Sequence, residues 1–81
     1  MRVQVLLFAG VRDAVGAESV VLDVDSGVDA RAFLSAFCAR YPAVSPYAAA
    51  IRVAVDGRYA RWDEPIGEGA EVALIPPVAG G

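Results

Sequence analysis

Histidine and lysine are both missing from this chain, and cysteine, methionine and tryptophan occur once each. Without histidine, the commonest general base and the commonest metal ligand are unavailable. A single thiol, Cys38, can close no internal disulfide and build no cysteine-cluster zinc site. A catalytic thiol also needs a cationic neighbour to hold it as thiolate, and Cys38 falls in a helical apolar pattern, where it reads as a core residue. These absences argue against a catalyst that acts alone. They suit a protein on which other enzymes work.

Positive charge is also scarce. All seven basic residues are arginines without a cluster, against ten acids, giving a net charge of −3 and a pI near 4.6. A nucleic-acid surface is not expected from such a balance. No apolar run reaches the length of a transmembrane helix. The opening Met1–Ala9 imitates a signal peptide, but Gln4 interrupts it, and Arg12 and Asp13 arrive before any cleavage site. The expectation is a cytoplasmic protein with no metal site and neither nucleic acid nor membrane as partner. Apolar residues, in contrast, are abundant. They make up 57% of the chain and the mean hydropathy is +0.49, which excludes disorder. A chain of 81 residues amounts to one domain, burying about 60% of its unfolded surface. An apolar surplus in so small a body often belongs to a partner.

The spacing of these residues predicts an α+β fold. Arg2 to Ala9 alternates as a strand, with Val3, Val5 and Leu7 on one face and Gln4, Leu6 and Phe8 on the other. Gly10 to Gly16 is a connection that has room for a helical turn. Ser19 to Val24 is a second strand, antiparallel to the first, and Asp25-Ser26-Gly27 ends it; Ser26 or Asp29 can cap a helix. Ala30, Phe33, Leu34, Phe37, Cys38 and Tyr41 form the buried stripe of that amphipathic helix, which Pro42 stops. Val44 to Ala50 is irregular, with room for a short helical turn. Ile51 to Val55 and Arg58 to Arg61 flank Asp56-Gly57, a strong hairpin signal. Glu71 to Ile75 is the last strand. One helix covers one face of a four- to five-stranded mixed sheet, with the first and last strands parallel at its centre, as in the ubiquitin-like β-grasp.

Two short motifs carry little. Gly67-x-Gly69 lacks the third glycine and the following helix of a dinucleotide fingerprint. Asp23-x-Asp25-x-Gly27-x-Asp29 lacks the glycine placement and distant glutamate of an EF-hand, so it reads as a strand exit and helix cap. Trp62 and Tyr59 are open to two readings, stacking on a base or contact with a partner on one hand, core or edge packing on the other. More is carried by the face that Gln4 and Glu71 mark as solvent-facing. Phe8 and Ile75 share it at the C-terminal ends of neighbouring parallel strands, and Tyr59 extends it from the hairpin, forming a candidate docking patch; edge packing is the blander alternative. Beyond residues 1–75 lies a short segment, Pro76-Pro77-Val78-Ala79-Gly80-Gly81. Its prolines end regular structure, and six residues reach roughly 20 Å when extended. Such a slim, uncharged end suits delivery into a narrow active site; a frayed terminus is the alternative.

Nearly the whole chain resembles the small subunit of molybdopterin synthase, within the ubiquitin-like sulfur-carrier group that includes the thiamine carrier. The matching residues are Val5-Leu6-Leu7-Phe8-Ala9-Gly10-Val11-Arg12-Asp13, the helix after Val28, Gly67-Glu68-Gly69-Ala70-Glu71-Val72, and the closing Ile75 to Gly81. Ala70 stands where the family usually has aspartate, a departure confined to a turn. The resemblance implies that Gly81 is the reacting residue, as glycyl adenylate and then thioglycine. It further implies that Phe8, Arg12, Tyr59, Ile75, Pro76, Pro77, Val78, Ala79 and Gly80 meet partners. Those partners would be the large synthase subunit, a ubiquitin-activating-type adenylating enzyme that uses ATP, and a sulfurtransferase. The carrier itself would bind no cofactor and supply no catalytic side chain. A carrier for a thiamine or tungsten-pterin route, or a ubiquitin-like protein modifier, are the alternatives.

Overall fold

A computed structural model describes residues 1–76. Five strands and two α-helices succeed one another as β1 (Arg2–Leu7), α1 (Ala9–Val15), β2 (Ser19–Asp23), α2 (Ala30–Arg40), a 3-10 helix (Pro42–Ala50), β3 (Arg52–Val55), β4 (Arg58–Tyr59) and β5 (Glu71–Ile75). The strands form one mixed sheet in the order β2-β1-β5-β3-β4. β1 is antiparallel to β2, with Val3 opposite Leu22, and parallel to β5, with Val5 opposite Val72. β3 is antiparallel to both β5 and β4. The first and last strands are therefore central neighbours, as the sequence predicts.

Alternation within the strands separates two faces of the sheet. Val3, Val5, Leu7, Val53, Val55, Val72 and Leu74 are buried on one, against Ala30, Phe33, Leu34 and Phe37 of α2. No buried polar or charged residue interrupts that core among the described residues. Burying such side chains contributes about 1.5–3 kcal/mol each, which sets the orientation of every strand and leaves the second face to solvent.

The start of α2 shows how the loops are fixed. Three of its early N–H groups find partners outside the helix: Ala30 donates to the Glu64 carbonyl at 3.0 Å, Arg31 to the Trp62 carbonyl at 3.0 Å, and Ala32 to the Asp29 carboxylate at 2.8 Å. Asp29 is thus the cap. The same bonds shorten the strand expected over Arg58 to Arg61. Ala60 still donates to the Val53 carbonyl, but β4 stops at Tyr59 because the chain turns away to lay residues 61–66 across the helix end. Trp62 packs there half-buried, with the Arg31 guanidinium 5.4 Å from its ring. Between β3 and β4, Asp56 and Gly57 have φ of 51° and 84°, the type I′ pairing that an Asp-Gly hairpin requires.

Three further details differ from the sequence expectation. The stretch from Pro42 to Ala50 is a 3-10 helix with Pro46 inside it, more extensive than a single turn; the Pro46 ring clashes with the carbonyl four residues back, which disfavours a regular α-helix there. Ile51 stands just outside β3, buried, with its N–H on the Ala48 carbonyl. Cys38 lies at the flank of the α2 stripe and is only half-buried.

Candidate functional site

The open face of the sheet is built from small and apolar side chains in registered rows. Ser19, Leu6, Ala73, Ala54 and Tyr59 form one row that crosses all five strands. Beside it, toward the end where β5 leaves the sheet, Ile75 pairs with Arg52. Phe8 comes directly after the Leu7–Leu74 pair and so stands at the same end. On the other side of the row, Gln4 lies between Val21 and Glu71. The centre is apolar and shallow because Ala54 and Ala73 are short. Taller groups, Leu6, Phe8, Ile75 and Tyr59, stand around it.

Phe8 is 45% exposed and Tyr59 58% exposed, while Ile75 and Pro76 are half-buried. Water meets large apolar area at all four, which is what a docking surface requires. Tyr59 is held in place by Arg52, whose guanidinium carbon lies 4.8 Å from the ring centroid. This contact links Tyr59 to the Ile75 end, two strands away. Val21 is another large apolar side chain left exposed on this face, at 51%. Arg12 belongs to α1 rather than to the sheet. It lines a depression of about 250 Å³ with Leu6, Leu7, Phe8 and Glu18, placing a cation beside the patch instead of within it.

The turn that presents Phe8 is strained. Ala9 takes φ 47°, a left-handed conformation that costs an L residue roughly 1–2 kcal/mol. Phe8, with extended backbone, caps α1, and its carbonyl accepts from the N–H groups of Val11 and Arg12. The chain therefore leaves the sheet abruptly and starts a helix, so that Phe8 is not drawn into a longer strand. Pro77, Val78, Ala79, Gly80 and Gly81 lie outside the described residues.

Of the residues expected to form the site, Phe8 and Ile75 share this end and face, Tyr59 stands on the same face two strands from Ile75, Pro76 follows Ile75 at the end of β5, and Arg12 flanks Phe8. Sequence reasoning did not single out Leu6, Ala54, Ala73, Val21 and Arg52. The signal for Leu6 and Ala73 is their alternation with Gln4 and Glu71 on the solvent side. Alanine itself does not report its face, and the Arg52–Tyr59 contact depends on hairpin register.

On the opposite side of the molecule a groove of about 390 Å³ opens between α2, the 3-10 helix and Trp62. Cys38 is its one reactive group, with a hydrogen bond to Ser45; burial pushes its thiol up from the ordinary value. No acidic or histidine side chain lines the groove to act as a base. Among the described residues, no cluster of His, Cys, Asp or Glu can hold a metal ion, and no helix is long and apolar enough to cross a membrane.

A mixed five-stranded sheet with parallel first and last strands, one covering helix and an open apolar face defines a ubiquitin-like β-grasp protein. The chain belongs to the ThiS family, which matches residues 5–81. It is similar over its full length to molybdopterin synthase sulfur carrier subunits. One, from Chlamydomonas reinhardtii, is 30% identical and matched over 100% of both chains. Another, from Mycobacterium tuberculosis, is 32% identical, with 100% of this chain and 99% of that protein covered. Among solved structures, SAMP1 from Haloferax volcanii superposes with a TM-score of 0.86 at 30% identity, covering 100% of each chain. A chain from the Helicobacter pylori complex of subunits 1 and 2 of molybdopterin-converting factor shares the fold, with TM-score 0.70, 21% identity and full coverage of both.

Proposed function

We propose that this chain is the sulfur carrier of a molybdopterin synthase, with the Gly81 carboxylate as its reacting group. The observation that carries the reading is full-length similarity to sulfur carrier subunits in a chain bearing Gly80-Gly81. An α-carboxylate is a poor electrophile until activated. In the proposed sequence a Gly81 oxygen attacks the α-phosphorus of ATP on an adenylating enzyme, and pyrophosphate leaves. A sulfurtransferase persulfide then attacks the acyl carbon and displaces AMP, and a reducing thiol cleaves the resulting acyl disulfide to leave a thiocarboxylate. In the large synthase subunit that sulfur passes to cyclic pyranopterin monophosphate, and two such transfers complete the dithiolene. Glycine leaves the carbonyl open to both reactions because it has no Cβ.

The side chains of Pro76 to Ala79 offer little to recognise, so specificity must come from the folded body. The open face supports this division of labour: Phe8, Ile75 and Tyr59 supply apolar area at the end where β5 leads into Pro76. Intact mass of the protein isolated from its native host tests the proposal. Exchange of one oxygen for one sulfur at the C-terminus is expected, and it must disappear when Gly81 is deleted. A Gly81-deleted chain that still supports molybdopterin formation would overturn the reading.

The likeness to SAMP1 favours a second reading, that of a protein modifier. Isopeptide adducts of Gly81 on lysines of other proteins, found by mass spectrometry of the same extract, are its signature.

A further inference from the structure

We propose that Arg52 selects the partner by charge: the surface that docks on the open face of the sheet carries an aspartate or glutamate whose carboxylate meets the Arg52 guanidinium. This rests on the reading of the chain as a carrier that docks through that face on a large synthase subunit, and it names a group that subunit must bring.

Position makes Arg52 unavoidable. β3 lies between β5 and β4 in the sheet. Arg52 is registered with Ile75 of β5, and Ala54, next to it on the same face, with Tyr59 of β4. A partner that covers both Ile75 and Tyr59 therefore passes over Arg52. β4 ends at Tyr59, so no β4 residue stands opposite Arg52. Its exposed side chain instead lies over the Tyr59 ring, 4.8 Å from the centroid. A ring contact of this kind satisfies none of the five N–H donors of a guanidinium.

The charge is uncompensated as well. Ion pairs among the described residues join Arg2 to Asp23, Arg58 to Glu64 and Arg61 to Asp63. Arg52 takes part in none of them. Glu71, an acid on the same face, precedes Ile75 by four positions of β5, which is about 13 Å along the strand. That exceeds the screening length of about 10 Å at 0.1 M salt.

In the free protein water solvates this cation. Docking removes the water, because Ile75 and Tyr59 gain from burial only where solvent is expelled. A guanidinium stripped of water and given no anion is a heavy loss. An all-apolar partner surface thus forfeits much of what the strip contributes, and a lysine or arginine at this point repels. A carboxylate recovers the loss through two parallel N–H···O bonds. The Tyr59 ring already restrains the guanidinium, so less side-chain freedom is lost on docking. Arg52 in this way divides partners by the sign of their charge.

Calorimetric titration of the full chain into the large synthase subunit of the same host tests the proposal, with melting curves to report folding. Arg52→Leu is expected to bind at least about tenfold more weakly than wild type and to lose part of the salt dependence, although it adds apolar area. Arg52→Glu should bind more weakly still. Arg52→Lys gives a direct readout, since no other lysine occurs in the 81 residues. Carbodiimide treatment of its complex should couple the amine at position 52 to an aspartate or glutamate of the large subunit, mapped by mass spectrometry. Replacing that acid with arginine should restore binding to Arg52→Glu. Arg52→Leu binding as tightly as wild type would overturn the proposal, as would an Arg52→Lys complex with no crosslink from position 52. Failure of the wild-type chain to bind the large subunit at all would overturn the carrier reading and this proposal together, an outcome distinct from a complex that ignores residue 52.

Discussion

Phe8 and Ile75 differ from Val5 and Leu74 in the face of the sheet to which they belong, and that difference decides what each can do. The inner pair is fully buried, the outer pair is not. Full burial of each outer side chain against a partner contributes about 1.5–3 kcal/mol. If the proposed large synthase subunit docks on this face, Phe8→Asp and Ile75→Asp should therefore weaken its binding at least tenfold while changing the melting temperature little. Val5→Asp and Leu74→Asp should unfold the domain. Thermal melts alongside calorimetric titration of all four variants make the comparison; an Ile75→Asp protein that does not fold would place the docking surface elsewhere. Cys38 gives a second test at this scale. Burial raises its thiol above the ordinary value of 9.0, so the unfolded chain ionises first as pH rises. Its contribution to stability is complete below that value and is lost as pH climbs through the folded one. Urea titrations of wild type and Cys38→Ala should thus converge at alkaline pH, with Cys38→Ala costing at most about 1 kcal/mol near neutrality. Cys38 also shows where residue-level reading stopped short. Its spacing is that of the buried stripe, but helical spacing does not tell the centre of a stripe from its margin.

At the scale of elements, strong periodicity and strong turn chemistry were legible and weak signals were not. β2, α2, the Asp56-Gly57 turn and β5 stand where alternation, the 3.6-residue repeat and turn residues put them; β1 does too, except that it ends at Leu7 rather than Ala9, because Phe8 caps α1 and Ala9 begins it. Of the 3-10 helix only a short turn was legible, because two prolines and four alanines leave no apolar period to show its extent. β4 was read too long because nothing in Arg58 to Arg61 reports that Trp62 and Glu64 have carbonyls bonded to the first turn of α2. That junction is itself testable. Asp29 accepts from Ala32 and holds the helix end against the crossing loop. Asp29→Ala is expected to destabilise the domain by about 1 kcal/mol, measured by urea unfolding, whereas Asp29→Ser should retain most of the stability. The docking strip was legible only where large or charged residues mark it. Its floor, Ala54 and Ala73, emerges only once the strands are in register.

At the scale of the whole molecule, the sheet is assembled from its two extremes. β5 fills the gap between β1 and β3, and it carries Val72 and Leu74, both fully buried. A chain ending at residue 70 should show no cooperative melt by circular dichroism, since it lacks the central strand. One ending at residue 76 should melt like the full protein; if the shorter chain folds cooperatively, β5 is not the element that closes the core. Synthesis proceeds from the N-terminus, so the centre of this sheet is the last part to be made, and most of its strand contacts join distant stretches of chain. Folding must then wait for translation to pass residue 75. The apolar strip that partners would grip includes Ala73 and Ile75, and it does not exist on a shorter product. Were the proposed adenylating enzyme to recognise this folded face, recognition would act as proofreading for the last strand, and no ATP would be spent on a chain abandoned before it.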